Sequence, residues 1–303
     1  MKVSELSLED LHDKLKHGGL YLQVSPFRIH LTSRAREVAQ NIARLYSEYS
    51  TCSSDFADFH IEINPPSLFR EYYRPQINFS FDGHVPFKPL PYSQSFALFE
   101  WGLNWCIATN AHQYVIIHSA VVEKNGKVLI MPGFPGAGKS TLCSILVRNG
   151  WRLFSDEMAL IRSDTLEVVP VPRPVSLKNE SIDLIRNRYP DVEFGLIAED
   201  THKGRITHYK PPTSSILNAH IPASPHWLVF PKFIANAKTK VENSSKSKAM
   251  IAMSEQAFNS NTLGREGFET IAAILDQVEV YNFQYSNIDE AIKFFSQLSE
   301  EAR

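Results

Sequence analysis

The sequence predicts an α/β fold. Three observations carry that prediction. Strand-like and helix-like segments alternate through the second two-thirds of the chain, and a glycine-rich loop at 133–141 joins a β-rich run to a helical run. An Asn-Gly dipeptide also separates two β-rich runs just before that loop.

In chain order, YLQVSPFRIHL (21–31) alternates apolar and polar residues and predicts one strand. SRAREVAQNIARLYSEY puts Val38, Ile42, Leu45 and Tyr46 on one helical face, with Ser33 as N-cap. DFHIEIN (58–64) alternates again, and INFSFDGHVPF (77–87) has the pattern strand, Asp82-Gly83 turn, strand. These segments define a small α+β module over 1–88, bounded by the proline-rich KPLPY. SQSFALFEWGLNWCIA then predicts an amphipathic helix with Phe96, Phe99, Leu103 and Ile107 inward, its aromatics belonging to the core.

The second domain, 89–303, continues with YVIIHSAVVEKNGKVLIMPG. Asn125-Gly126 is a type I′ hairpin signal; with those two residues as the turn, Lys124 pairs with Lys127 and His118 falls opposite Gly133. KSTLCSILVRNG predicts a helix stopped by Gly150, and WRLFS (151–155) a strand with Asp156-Glu157 at its C-terminal end. Further strands are expected at 166–171, 204–210 and 226–233, and helices at 180–189, 248–258, 268–278 and 287–298. Ser286-x-x-Asp289 resembles a capping box for the last helix, and KTKVENSSKSK (238–248) reads as a solvated loop leading into a helix.

A net charge of −2 argues against a general nucleic-acid binder. Cys52, Cys106 and Cys143 show no paired spacing, as expected of reduced thiols in a cytoplasm. The polar N-terminal stretch lacks an apolar signal core, and no run of about 18 apolar residues predicts a membrane span.

GFPGAGKST matches GxxxxGK[ST] without a mismatch. Glycines let backbone N–H groups turn toward phosphates, and the following helix adds its positive end. Gly133, Gly136, Ala137, Gly138, Lys139, Ser140 and Thr141 are thus expected to hold ATP, with Lys139 on the β/γ-phosphates and the Ser140 hydroxyl on Mg²⁺. The alternative, a chance match in an ordinary loop, lacks the strand–loop–helix context present here. His118 near the triphosphate end is a candidate acid or base; the other reading is a hydrogen-bonded strand histidine. Asp156-Glu157 can hold Mg²⁺ or accept a proton from an attacking hydroxyl, or can be a solvated turn.

The stretch HSAVVEKNGKVLIMPGFPGAGKSTLCSILVRNGWRLFSDE resembles the catalytic core of the HPr kinase/phosphorylase family, most closely the HPr-kinase-related kinases of bacterial gene clusters. That resemblance extends over about 95–298 and includes HKGRITHYKPP, LVFPKF and FNSNTLGREGF. It implies a P-loop kinase core similar to phosphoenolpyruvate carboxykinase, transfer of the ATP γ-phosphoryl group to a serine hydroxyl of a peptide or protein, and a homo-oligomer. His118, Lys139, Ser140, Asp156 and Glu157 match the family's histidine, loop and acid-pair positions; Asp156 is then the general base and Glu157 a second Mg²⁺ contact. Two departures stand out. Asp-Glu replaces the family's Asp-Asp. If Gly204 marks the downstream Glu-Arg-Gly signature, Lys203 replaces its arginine and Thr201 its metal-binding glutamate, leaving Glu157, Glu199 or Asp200 to compensate. Residues 1–88 do not resemble the family's N-terminal domain, so HPr is not expected as the acceptor. A small hydroxylated metabolite is the alternative acceptor, and a P-loop switch or ATPase the alternative class.

Overall fold

The computed structural model describes residues 1–52 and 56–301. The chain is mixed α/β and forms two compact units: Met1–Ile107 with Arg173–Ile216, and Ala108–Pro172 with the chain from Leu217 on. Strands and helices are numbered in chain order.

The first unit carries a five-stranded mixed sheet in the order β1 (Leu20–Val24), β2 (Phe27–Ser33), β3 (Phe59–Asn64), β4 (Gln76–Phe81), β5 (Leu90–Pro91). Only β2 and β3 are parallel neighbours. The segment expected to be one strand is two, because Ser25-Pro26 turns the chain between β1 and β2. Helices α1 (Leu8–His17) and α2 (Arg36–Leu45) accompany the sheet. Val38, Ile42, Leu45 and Tyr46 are buried as their spacing predicts. The N-cap is Ala35, not Ser33, whose hydroxyl instead donates to the Ile63 carbonyl and ties β2 to β3. After the short α3 (Leu68–Tyr72) and β4, Asp82-Gly83 does turn, yet its return is a single bridge at His84 rather than a strand.

The expected boundary at 88 is not where the units divide. Leu90–Pro91 of KPLPY pairs with β4, and α4 (Ser95–Asn110), of which the first unit holds the residues up to Ile107, is buried on nearly every side rather than along one stripe. Gly102 is part of the reason: a Cβ there would strike the Phe79 ring, so glycine allows close packing on β4.

The second unit is an eight-stranded mixed sheet. It comprises β6 (Val115–Lys124), β7 (Lys127–Pro132), β8 (Arg152–Ser155), β9 (Met158–Ile161), β10 (Val168–Val169), β14 (Ser224–Phe233), β15 (Lys240–Asn243) and β16 (Glu279–Tyr285). The order is β10-β9-β6-β7-β14-β16-β15, with β8 also on β6. The hairpin register is the expected one: Lys124 faces Lys127, Ser119 faces Pro132, and Asn125 and Gly126 both have positive φ. Helix α5 (Lys139–Arg148) ends in a Schellman arrangement, with Gly150 at φ 86° and Trp151 N–H on the Leu146 carbonyl. Helices α8 (Lys246–Gln256), α9 (Ser260–Leu263), α10 (Arg265–Gln277) and α11 (Ile288–Glu301) complete the unit. Ala249, Met253, Ile271 and Ile274 pack with Ile117, Val121, Ile130 and Leu228 in one core cluster.

Three expectations are corrected here. Residues 166–171 pair over only two positions, and residues 240–243 of the supposed loop 238–248 are the edge strand β15. The last helix is capped by Asn287, whose Oδ1 accepts from Asp289 and Glu290 N–H, while Ser286 donates to the Ala237 carbonyl. The remaining segments return to the first unit: β11 (Val175–Lys178), α6 (Glu180–Arg188), β12 (Ala198–Thr201) and β13 (Gly204–Tyr209) build a three-stranded sheet with its helix, followed by α7 (Thr213–Leu217). Among the described residues no helix is long and apolar enough to cross a membrane.

Candidate functional site

Strand direction gathers the candidate residues. β7, β14 and β16 are parallel neighbours, ending at Pro132, Phe233 and Tyr285. β8 is antiparallel to β6, so its end at Ser155 and the His118 end of β6 meet the same edge of the sheet. In open α/β sheets this edge, outside the carboxyl ends of the strands, is where ligands sit.

The glycine loop leaves β7 there and runs into α5. Gly136 and Gly138 have φ of 87° and 90°, a region that glycine enters without steric cost. Gly138 is also hemmed in: a Cβ would lie 2.6 Å from the Tyr285 hydroxyl and 3.2 Å from Phe233 Cβ. Tyr285 donates to the Gly138 carbonyl at 3.2 Å, and Phe233 N–H to the Ala137 carbonyl at 3.2 Å, so the ends of β16 and β14 fix the loop. Lys139 is buried and its Nζ donates to the carbonyls of Gly133 and Phe134, folding back across the loop's first residues. Ser140 and Thr141 are half-buried on the first turn of α5.

Asp156 and Glu157 occupy the turn between β8 and β9. Ser155 shapes it, its Oγ accepting from the N–H groups of Glu157 and Met158. Asp156 is buried, and its charge reaches α5: burial first, then Asp156, pushes the Cys143 thiol well above its ordinary pKa. Cys143 is therefore an inert packing residue. His118 Nδ1 lies 3.1 Å from the Glu157 carbonyl and 4.0 Å from its Oε2. A carbonyl only accepts, so Nδ1 carries a proton. The ring also meets the edge of Phe258 at 5.5 Å. Asn259 holds that segment on β6 through the Ile116 N–H and the Tyr114 carbonyl.

The structure thus brings His118 together with Glu157, and Asp156 close to the helix that starts at Lys139. Thr201, Lys203, Gly204 and Glu199 belong to the first unit and are engaged locally. The Thr201 hydroxyl donates to the Gly204 carbonyl and accepts from Lys203 N–H, and Glu199 lies 3.8 Å from Arg205. The side chain of Asp200 lies outside the described residues. Ser155, Tyr285 and Asn259 were not found by sequence reasoning. Ser155 and Asn259 lie in the stretches WRLFS and FNSNTLGREGF, whereas the strand EVYNFQY that carries Tyr285 was not predicted.

A cleft of ≈ 730 Å³ opens beside the loop. Its walls are Pro132–Ala137, the ends of β14 and β16, the edge strand β15 and one face of α8; His118, Asp156 and Glu157 lie outside this lining. Among the described residues no group of three or more His, Cys, Asp and Glu forms a metal cage. Mg²⁺ needs none: it is commonly held by one or two carboxylates plus substrate phosphates, and Ser140 and Glu157 both carry the hard oxygen donors it takes. No protein-family model matches the chain, and no curated protein matches it.

Proposed function

We propose that the chain is an ATP-dependent phosphotransferase that carries the γ-phosphoryl group to a hydroxyl, with a serine of a peptide or protein as the acceptor class. The observation that carries this reading is the glycine loop, at the end of a central strand and opening α5, with a buried carboxylate, a second carboxylate and an oriented histidine on the neighbouring strands of the same edge. The resemblance to HPr-kinase-related kinases adds the acceptor chemistry.

In this reading the loop amides and Lys139 hold the phosphates, which requires Lys139 to exchange its two carbonyl partners for phosphate oxygens. Ser140 and Glu157 are the Mg²⁺ contacts. Bound Mg²⁺ supplies neutralisation of the charge developing on the phosphates. Asp156 takes the proton of the acceptor hydroxyl. His118, tied to Glu157, positions that turn.

The test incubates the full chain with Mg²⁺ and γ-labelled ATP, with and without a cell lysate as acceptor source. Label on a protein, lost in Lys139→Ala, is the expected result. Phosphate release independent of any acceptor would show an ATPase or switch instead, label on a small molecule a metabolite kinase, and nucleotide binding without turnover a silent scaffold.

A further inference from the structure

The cleft beside the loop is built from register. In the sheet, Phe230 of β14 pairs with Asn282 of β16, which pairs with Glu242 of β15; two residues on, Lys232 pairs with Gln284 and Gln284 with Lys240. Paired residues point to one face of a sheet, so these two rows form the cleft floor. Lys248, Ala252 and Gln256, spaced by four, present one face of α8 as a wall. The loop residues Gly133–Ala137 close the end. Apolar surface, three side-chain amides and three lysines therefore converge next to the phosphate cradle, with Glu242 the one acidic residue among the lining residues. The volume falls within the range of about 300–1,000 Å³ of small-molecule sites.

Phosphoryl transfer supplies the direction. The attacking and leaving oxygens lie roughly in line through the transferred phosphorus. The acceptor and the rest of the nucleotide must then sit on opposite sides of it. Asp156, Glu157 and His118 stand on the β6–β8–β9 side of β7, and the cleft stands on the β14–β16–β15 side. We infer that this cleft takes the nucleoside half of the triphosphate and that the acceptor hydroxyl enters from the β6–β8–β9 side. The inference rests on the phosphotransferase reading. Asn282, Gln284 and Gln256 offer both donors and acceptors to a base edge or ribose, and Lys232 and Lys248 offset the charge of the phosphates, Lys240 being paired with Glu242 at 2.7 Å.

The experiment compares Mg²⁺–ATP with Mg²⁺–tripolyphosphate by calorimetry on the full chain and on Ala252→Phe, which fills the cleft from α8. ATP should bind the unaltered protein more tightly than tripolyphosphate. The substitution should weaken ATP by about tenfold or more through overpacking, leaving tripolyphosphate unchanged. Equal ATP affinity in both proteins, or equal loss of both ligands with the melting temperature retained, would overturn the inference while leaving the loop as a phosphate site. An unaltered protein that binds neither ligand would remove the phosphotransferase reading and the inference together. Photolabelling of the unaltered protein with 8-azido-ATP decides the matter should Ala252→Phe fold poorly. Label within 230–233, 248–256 or 282–284 supports the cleft, and label confined to 115–124 or 152–161 overturns it.

Discussion

Each unit of this chain gathers charged side chains, but for different ends. In the first unit Glu100 and Arg173 are almost fully buried and 3.1 Å apart. Tyr46 donates to the other carboxylate oxygen of Glu100 at 2.6 Å, and Arg173 also donates to Asn104. In the second unit His118, Lys139, Asp156 and Glu157 stand at strand ends and a helix start, and His118 and Glu157 keep about a quarter of their side-chain surface exposed. One cluster is a buried network of protein groups. The other sits at the edge where a ligand would complete it. The contrast teaches that burial of charge alone does not single out a candidate site; position at converging strand ends does. It also predicts separable consequences: substitutions in the first cluster should cost stability, and in the second turnover.

The largest separation is expected at Asp156. Asp156→Asn keeps the shape and removes the base, and loss of a general base typically costs about 10²–10⁴ in rate. Steady-state kinetics should show that fall in kcat with ATP affinity nearly unchanged, whereas Lys139→Ala should lose most ATP affinity while the melting curve stays in place. The reverse for Asp156, lost Mg²⁺–ATP binding with near-normal transfer at saturating nucleotide, would exchange the roles assigned to the two acids. Arg173→Met is the mirror experiment. It leaves Glu100 buried without its cation, and breaking such a pair costs roughly 3–5 kcal/mol. Denaturant unfolding should record the loss, and calorimetry should find the ATP affinity of the folded fraction unchanged. Glu100→Gln with Arg173→Met should recover part of it, since no buried charge of the pair remains.

How much of this was legible in the sequence depends on range. Features set within a few residues were: Asn125-Gly126 fixed the β6–β7 register, Gly150 stopped α5, and the strand–loop–helix context at 133–141 is present as expected. Features set by distant partners were not. Residues 173–216 return to the first unit through contacts that no local period reports. KPLPY contributes a strand because β4 has an edge to pair, and α4 is buried all round because both its apolar and its small residues meet neighbours. Ser33 and Ser286 were plausible caps, but each hydroxyl bonds a distant carbonyl, so Ala35 and Asn287 take the cap positions. The cleft was invisible for the same reason: its rows exist only once β14, β16 and β15 are in register.

A smaller effect probes the point where stability and ligand binding meet in the second unit. Gly138→Ala forces a side chain into φ 90° and against the Tyr285 hydroxyl. Left-handed backbone costs a non-glycine residue about 1–2 kcal/mol, and displacing Tyr285 breaks its bond to the Gly138 carbonyl. Thermal melting should fall modestly, and ATP affinity should fall by more than that loss of stability accounts for. Equal, small changes in both would mean that the Tyr285 clamp serves only packing.

A further predicted effect lies in the first unit and depends on pH. His208 is buried edge-on against Phe96, and burial first, then the charges of Arg173 and Lys178, lowers its pKa to about 3. In the unfolded chain it titrates near the ordinary histidine value of about 6.5. Between those two values the unfolded state binds a proton that the folded state does not, so stability rises with pH in that window and is lost as pH falls through it. From pH 7 to pH 5 this one residue should remove about 2 kcal/mol. Urea unfolding of the nucleotide-free protein at the two pH values measures it. His208→Leu, which cannot titrate, should lose correspondingly less on acidification, and its ATP affinity at pH 7 should match that of the unaltered chain. An acid sensitivity identical in both proteins would show that the loss comes from carboxylates such as Glu48, whose pKa is lowered by its hydrogen bond from Lys2 and which also destabilises the fold as it protonates, though at lower pH. A changed ATP affinity in His208→Leu would break the comparison itself, because a group that serves only the first unit's interior would then be felt at the loop.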